Sequence, residues 1–252
     1  MVKGIIIQAR MGSSRLPGKM GKVFYDGKSL LDVILDRLQL FSDRVQVIVA
    51  TSQNEADDFI VNTARRKGIK VYRGSEENVL NRFVEAADHF GIDTIIRICA
   101  DNPFIQLDFI ENLIKSNYES VADYVGYRVN GEVPAIKTHV GFFPELVTKQ
   151  SLKKLDTSDP EPFYKEHVTN YFYSKENSEF SVEWIDIEYP KEVIKNIRLT
   201  IDTEQDFELV NGVYEYLNEN EIPFTDEEIL EYLYRKPMLT EKMKESIEQN
   251  EK

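Results

Sequence analysis

A rhythm in the first 120 residues constrains the fold more than any other feature. Short apolar runs alternate with longer stretches of helical periodicity. The short runs are "GIIIQ" (4–8), "VQVIVATS" (45–52), "KVYRG" (70–74) and "TIIRICAD" (94–101). The first two are β-branched and nearly unbroken, as strands buried on both faces should be. Between them, "LLDVILDRLQLF" places apolar residues at 30, 31, 34, 35, 38 and 41, a helical stripe. "EADDFIVNTARRKG" (55–68) has acids in its first turn, bases in its last and a closing Gly, as the helix dipole and C-cap favour. Its acidic start reads as a solvated helix end. "ENVLNRFVEAADHFG" (77–91) and "LDFIENLIKSNY" (107–118) are two further helices. This β-α-β order predicts an α/β protein, with a mostly parallel sheet, helices on both faces and right-handed crossovers.

The rhythm breaks near residue 120. "ADYVGYRVNGEVP" (122–134) carries an Asn-Gly hairpin signal. "IKTHVGFF" (136–143) reads as a strand, and "PELVTKQSLKKL" (144–155) as a helix with Pro at its first position. "EPFYKEHVTNYFYS" (161–174) reads as a helix whose aromatic face suits a core or a dimer seam better than a sugar platform. "FSVEWIDIE" (180–188) alternates, and "NIRLTID" (196–202) reads as a strand. "TEQDFELVNGVYEYLNE" (203–219) is an amphipathic helix, and "TDEEILEYLYRK" (225–236) opens on a Thr-x-x-Glu capping box. No linker or repeat interrupts the chain. The expected organisation is one domain over 1–236, with a β excursion at about 122–140, then a charged tail at 237–252. The tail is either a frayed helix or a partner-contact helix using Leu239, Met243 and Ile247.

The chain has 44 acidic and 31 basic residues, a formal charge of −13. That disfavours general nucleic-acid binding, which needs clustered Lys and Arg. The single cysteine, Cys99, excludes an intrachain disulfide and reads as a small buried residue. No apolar run approaches a signal peptide or a membrane span, so a cytoplasmic protein without membrane insertion is expected. Against this acidity, residues 10–22 hold four cations (Arg10, Arg15, Lys19, Lys22) and no acid.

Those cations lie in "QARMGSSRLPGKMGK" (8–22), directly after the first strand. It is not a P-loop. Five residues separate Gly12 from Gly18, and Met20 follows Lys19 where a P-loop has Ser or Thr for magnesium. Its position is nonetheless that of a ligand loop, since open parallel sheets bind ligands beyond their carboxyl strand ends. Gly12, Ser13 and Ser14 let backbone N–H groups approach phosphate oxygens, and Arg15 and Lys19 can neutralise their charge. Pro17-Gly18 makes a stiff turn between these two cations. The alternative is an ordinary surface loop. Two acids, Asp101 and Asp202, end apolar runs and should share this sheet edge. They could hold magnesium, which takes few carboxylates, or simply stop two strands.

"IIIQARMGSSRLPGK", "ICADNPFI", "THVGFF" and "IRLTIDTEQDFELV", in that order, resemble the CMP-sugar synthetases, a cytidylyltransferase family that includes the CMP-KDO and acylneuraminate enzymes. "RGSEENVLNRF" and "KEHVTNYFY" point to the spore-coat polysaccharide (SpsF) branch. The likeness spans roughly residues 1–220. It implies a three-layer α/β/α sandwich of the nucleotide-diphospho-sugar transferase type. It implies that CTP binds at Gln8, Ala9, Arg10, Gly12, Ser13, Ser14, Ser75, Asn78, Arg82 and Ala100. Ala100 stands where the family usually has Gly, and Asn78 where this branch often has Asp. Lys19, Arg15, Asp101 and Asp202 become the catalytic set, with Mg2+ on the two aspartates. A sugar hydroxyl would attack the α-phosphorus of CTP and pyrophosphate would leave.

His139, His167 and Arg198 are candidates for the sugar. For His139 and His167 the alternative is packing, and for Arg198 it is to orient Asp202, four residues on. Arg128 and Lys137 add cations suited to an acidic sugar acceptor. His89 ends a helix, where a cation suits the dipole. The family also implies a homodimer. Competing readings are a metal-dependent glycosyltransferase, another NDP-sugar pyrophosphorylase, and a nucleotide-binding module without catalysis. "CADNP" supplies one acid where a glycosyltransferase needs an Asp-x-Asp motif, and "QARMGSSR" lacks a pyrophosphorylase's Gly-rich loop.

Overall fold

A computed structural model of the chain describes residues 1–118 and 121–250. The last two residues of the charged 237–252 segment lie outside the described residues. The first half follows the expected rhythm. Strands β1 (Lys3–Gln8), β4 (Gln46–Ser52), β5 (Lys70–Gly74) and β6 (Thr94–Cys99) pair in parallel. They are connected through α1 (Leu30–Leu38), α2 (Asp58–Arg66) and α3 (Val79–Phe90), and α4 (Leu107–Lys115) follows β6. β2 (Val23–Tyr25) and β3 (Lys28–Ser29) form a small separate hairpin before α1.

The second half extends the same sheet. β9 (Glu145–Thr148) runs antiparallel to β6 and to β7 (Tyr124–Val129), and β10 (Val182–Ile187) runs parallel to β7. The strand order is β10-β7-β9-β6-β1-β4-β5, with β8 (Val133–Pro134) returning on β7. The expected hairpin is there: Asn130 and Gly131 take φ values of 54° and 66°, as a tight type I′ turn requires.

Strand alternation divides the core in two. Ile5 and Ile7 of β1 face one layer, with α1, α4, α8 (Glu204–Glu219) and α9 (Asp226–Tyr234). Ile6 faces the other, with α3 and α5 (Lys149–Thr157). The result is a mostly parallel sheet between helical layers.

Several expected elements differ. Residues 136–143 do not form a strand; a turn at Ala135–Lys137 leads into extended chain, and the strand comes later as β9. Leu199 and Thr200 both donate to the His139 carbonyl, at 2.8 and 3.1 Å, and Gln106 N–H donates to the Phe142 carbonyl at 2.9 Å. Gly141 adopts φ +71° within this stretch. The backbone therefore bridges two loops instead of a ladder. Residues 197–202 are extended for the same reason and are not a sheet strand, while Asn196 ends a helix. The helix expected at 144–155 starts five residues later, capped by Thr148, so Pro144 is not its first residue. The helix expected at 161–174 breaks into α6 (Pro162–Glu166) and a 3-10 turn (Asn170–Tyr173). Beyond α7 (Lys191–Asn196), the C-terminal segment forms α10 (Pro237–Gln249), which packs on its own chain with Met243 fully buried. Among the described residues no helix is long and apolar enough to cross a membrane.

Candidate active site

The chain winds from β1 outward to β4 and β5, then returns to β6 on the other side of β1. In open α/β sheets, the crevice beyond the carboxyl ends at such a reversal is where ligands sit. Here it receives the loop after β1, the loop after β6, and the extended segment 197–203.

The loop after β1 is pinned from below by Asp57. Its Oδ1 accepts the Met11 N–H at 2.7 Å, and its Oδ2 accepts the Thr51 hydroxyl (2.8 Å), the Ser52 hydroxyl (2.5 Å) and the Ser52 N–H (3.0 Å). Asp57 is only 2% exposed. The expectation that "EADD" is a solvated helix start therefore fails at this residue; its neighbour Asp58 does lie at the surface. The Met11 carbonyl in turn accepts the N–H groups of Ser13 and Gly18, each at 2.9 Å, and Gly18 takes φ +73°. The loop is thus closed on itself. Among the described residues the N–H groups of Gly12, Ser14 and Arg15 have no protein acceptor.

The cations of the loop reach the two aspartates named from the sequence. Lys19 is buried; its ammonium donates to the Ile201 carbonyl at 2.6 Å and lies 3.4 Å from Asp101 Oδ2. Arg15 Nη2 lies 2.9 Å from Asp202 Oδ1. The Ile201 N–H donates to the Asp101 carbonyl at 3.0 Å, so the two aspartate-bearing segments are joined through their backbones. Lys19, Arg15, Asp101 and Asp202 form one constellation.

Behind Asp202 lies a second tier. The Arg198 guanidinium, 1% exposed, donates to Asp202 Oδ2 at 2.8 Å and to Asp206 Oδ1 at 2.8 Å. Its Nη1 is 2.9 Å from His139 Nδ1. A guanidinium only donates, so Nδ1 accepts in this contact and the imidazole proton sits on Nε2. Asp206 Oδ2 accepts the N–H groups of Asp202 (3.0 Å) and Thr203 (2.9 Å) while Thr203 caps α8 in return. Arg198 thus orients Asp202, one of the two roles open to it in the sequence.

On the other flank, Arg10 donates to Glu166 at 2.8 Å across an open cleft of about 740 Å³ lined by Arg10, Ser75, Glu76, Glu77, Pro162 and Glu166. Arg82 lies beneath, fully buried, and donates from Nη1 to the Ser75 carbonyl at 2.8 Å. Its Nε and Nη2 have no partner among the described residues. Burial, reinforced by the charge of Arg10, holds this guanidinium down to about 10. Asn78 caps α3 by accepting the Asn81 N–H at 2.9 Å, and its own N–H donates to Ser75 Oγ at 2.9 Å. Gln8 Oε1 accepts from Arg97 at 3.1 Å, and Ala100 N–H donates to the Gln8 carbonyl at 3.0 Å. Arg97 is paired with buried Glu145, which also accepts from the Tyr124 phenol at 2.8 Å and the Thr169 hydroxyl at 3.0 Å. Burial works against the Arg97 charge, yet Cys99, Glu145 and Tyr173 hold its guanidinium above the ordinary range. Burial and the Glu145 charge push the Tyr124 phenol well up. His167 is exposed at the end of α6, its ring 4.7 Å from that of Phe163; none of the contacts above joins it to the aspartates.

Sequence reasoning missed Asp57, Asp206 and the Arg97–Glu145 pair. Asp206 had a local signal, because Thr203 and Asp206 have capping-box spacing. Asp57 and Glu145 had none, since their partners are distant in the chain or hidden by the fold.

Among the described residues no group of three His, Cys, Asp or Glu side chains gathers as a metal cage. Two carboxylates, a partly exposed Asp101 and a buried Asp202, suit magnesium, which keeps waters and shares its shell with phosphates. They do not suit zinc, which takes three or four protein ligands, mostly His and Cys.

The comparisons agree with this architecture. The family model described as "Cytidylyltransferase" matches residues 4–245. The spore coat polysaccharide biosynthesis protein SpsF of Bacillus subtilis (strain 168) is 33% identical, over 85% of this chain and 87% of its own. The structure of a cytidylyltransferase from Leptospira borgpetersenii is 31% identical, with a TM-score of 0.79 over 96% of this chain and 97% of that one. A CMP-2-keto-3-deoxy-manno-octonic acid synthetase complexed with CTP shares the fold at 17% identity, with a TM-score of 0.63 over 86% of this chain and 99% of that one. With the reversal-point crevice and the match over nearly its whole length, the chain belongs to the cytidylyltransferase family of nucleotidyltransferases.

Proposed function

We propose that the enzyme transfers the cytidylyl group of CTP to a hydroxyl of an acidic sugar, releasing pyrophosphate, in the biosynthesis of a surface polysaccharide. The observation that carries this reading is the convergence of Lys19 and Arg15 with Asp101 and Asp202 on one sheet edge. Cations for phosphates and carboxylates for a divalent metal stand within one hydrogen-bond length of each other. A neighbour solved with CTP and the SpsF relative support the nucleotide and the pathway class.

The roles follow from chemistry. The N–H groups of Gly12 and Ser14 would cradle phosphate oxygens, with Ser13 holding the loop shape through its bond to Leu16 (3.3 Å). Lys19 and Arg15, released from the aspartates, would take up charge growing on the pyrophosphate as it leaves. Asp101 and Asp202 would hold magnesium, which when bound supplies positive charge at the reacting phosphate. Ser75 lines the cleft where the nucleoside would lie, and Gln8, Ala9, Asn78, Arg82 and Ala100 would form its support, Arg82 with two donors that have no partner among the described residues. Arg10 would exchange Glu166 for the nucleotide. His139 would face the acceptor sugar, braced from behind by Arg198, with His167 at the rim. Such transfer rests on positioning and charge stabilisation, not on a covalent intermediate.

The test is turnover with each of the four nucleoside triphosphates, magnesium and a panel of acidic sugars, following pyrophosphate. CTP alone should support release. Release with UTP or GTP in preference to CTP would sink the proposal.

A further inference from the structure

The C-terminal helix touches the candidate active site from behind. Ser246 lies on the inner face of α10, three residues after fully buried Met243, and is itself 1% exposed. Such a position ordinarily takes an apolar residue, because a buried hydroxyl is costly unless hydrogen-bonded. Its Oγ donates to Asp206 Oδ1 at 2.6 Å. That same oxygen accepts from Arg198 Nε at 2.8 Å, and Arg198 Nη2 holds Asp202 Oδ2 at 2.8 Å. The other oxygen of Asp206 holds the Asp202 N–H at 3.0 Å. Asp206 therefore fixes Asp202 twice, through its backbone and through Arg198, and Ser246 fixes Asp206.

We propose that Ser246 is a positioning residue for the reaction: α10 locks Asp206, and through Arg198 it sets the carboxylate of Asp202 in the orientation that receives the divalent metal. This rests on the reading of Asp202 as a metal ligand. Without the serine hydroxyl, Asp206 Oδ1 keeps only Arg198, and the carboxylate can tilt about the Oδ2 that the Asp202 and Thr203 N–H groups hold. Arg198 then follows it and pulls on Asp202, whose position sets the metal geometry. Partners one step behind a ligand commonly change metal affinity by about 10–100-fold. A hydroxyl one step further back should change it by roughly 3–10-fold, the worth of one charged hydrogen bond incompletely transmitted.

The experiment is Mn2+ binding followed by electron paramagnetic resonance, with CTP present and no acceptor, on the full chain. Wild type, Ser246→Ala, Ser246→Thr, Asp206→Asn and Asp202→Asn are compared, each with a thermal melt. The expected result is a Mn2+ dissociation constant raised about 3–10-fold in Ser246→Ala, recovered in Ser246→Thr, and raised about 10–100-fold in Asp206→Asn. If Ser246→Ala fails to fold, Asp206→Asn, which keeps the side-chain shape, carries the test. A helix-docking role alone would lower the melting midpoint and leave Mn2+ affinity unchanged, which overturns the inference. If Asp202→Asn also binds Mn2+ like wild type, the failure lies with the metal reading itself.

Discussion

Replacing Asp57 by Asn tests how the ligand loop is held. The carboxylate accepts four hydrogen bonds, one from the loop and three from the end of β4. An amide has one accepting oxygen, so no placement satisfies all four. With its NH2 group on the β4 side, the buried Ser52 N–H loses its acceptor, while the two hydroxyls can rotate. With NH2 on the loop side, the Met11 N–H faces a donor and the loop lifts. Either outcome strands one backbone N–H, at about 1–3 kcal/mol, and weakens the remaining bonds by removing their charge. The sum is about 2–4 kcal/mol, or roughly 4–8 °C in melting midpoint for a chain of this size. Urea unfolding measures the first quantity and calorimetric titration with CTP the second consequence, a weaker nucleotide site. Asp58→Asn, at an exposed pair with Arg73, serves as control and should shift stability by under about 0.5 kcal/mol. If Asp57→Asn matched that control in both assays, the anchoring role assigned to Asp57 would be wrong.

Other outcomes follow from the same structure. Lys19→Met should abolish CTP-dependent pyrophosphate release while the fold persists, and near-normal release would remove Lys19 from the mechanism. Gly141→Ala should lose about 1–3 kcal/mol, because a Cβ there combines φ +71° with a 3.2 Å approach to the Asn102 side chain; unchanged urea unfolding would contradict this. Glu145→Gln should cost about 3–5 kcal/mol in urea unfolding, since it leaves Arg97 charged and buried without its counter-ion; a loss below about 1 kcal/mol would argue against it. Arg82 is held down to about 10 by burial and by Arg10, so the fold disfavours its charged form at every lower pH, and the penalty lifts only as pH rises through that value. At neutral pH, Arg82→Met should therefore stabilise the nucleotide-free protein by about 1–3 kcal/mol and weaken CTP binding at least about tenfold. A less stable variant that binds CTP normally would refute both halves.

The parallel half of the sheet was legible because strands buried on both faces leave an unbroken apolar signature. Ile5, Ile6 and Ile7 point to opposite layers, and no polar residue fits at any of them. The same signature misled at 136–143 and 196–202. Those runs are apolar because they are buried, but they pair across loops: Leu199, Thr200 and Ile201 donate to the His139 and Asp101 carbonyls, and the Phe142 carbonyl accepts from Gln106, a pairing that composition does not encode. Asp101 and Asp202 were legible because each ends an apolar run, and Arg15 and Lys19 because they lie in the loop that leaves the first strand of the sheet. Asp57 was not, because an acid at a helix start is usually solvated, and only the folded chain shows Thr51, Ser52 and Met11 closing on it. Ser246 was hidden in a charged segment that reads as either a frayed helix or a partner-contact helix.

The central claim is that the bond broken lies between the α- and β-phosphates of CTP. CTP carrying a label on its α-phosphate, incubated with magnesium and the acidic sugar panel, tests it directly. The label should move to a cytidylyl-sugar product in equal amount to the pyrophosphate released, and Lys19→Met and Asp202→Asn should show neither. Release of the γ-phosphate alone, or label that stays wholly in CTP with every sugar while another nucleotide reacts, would contradict the account.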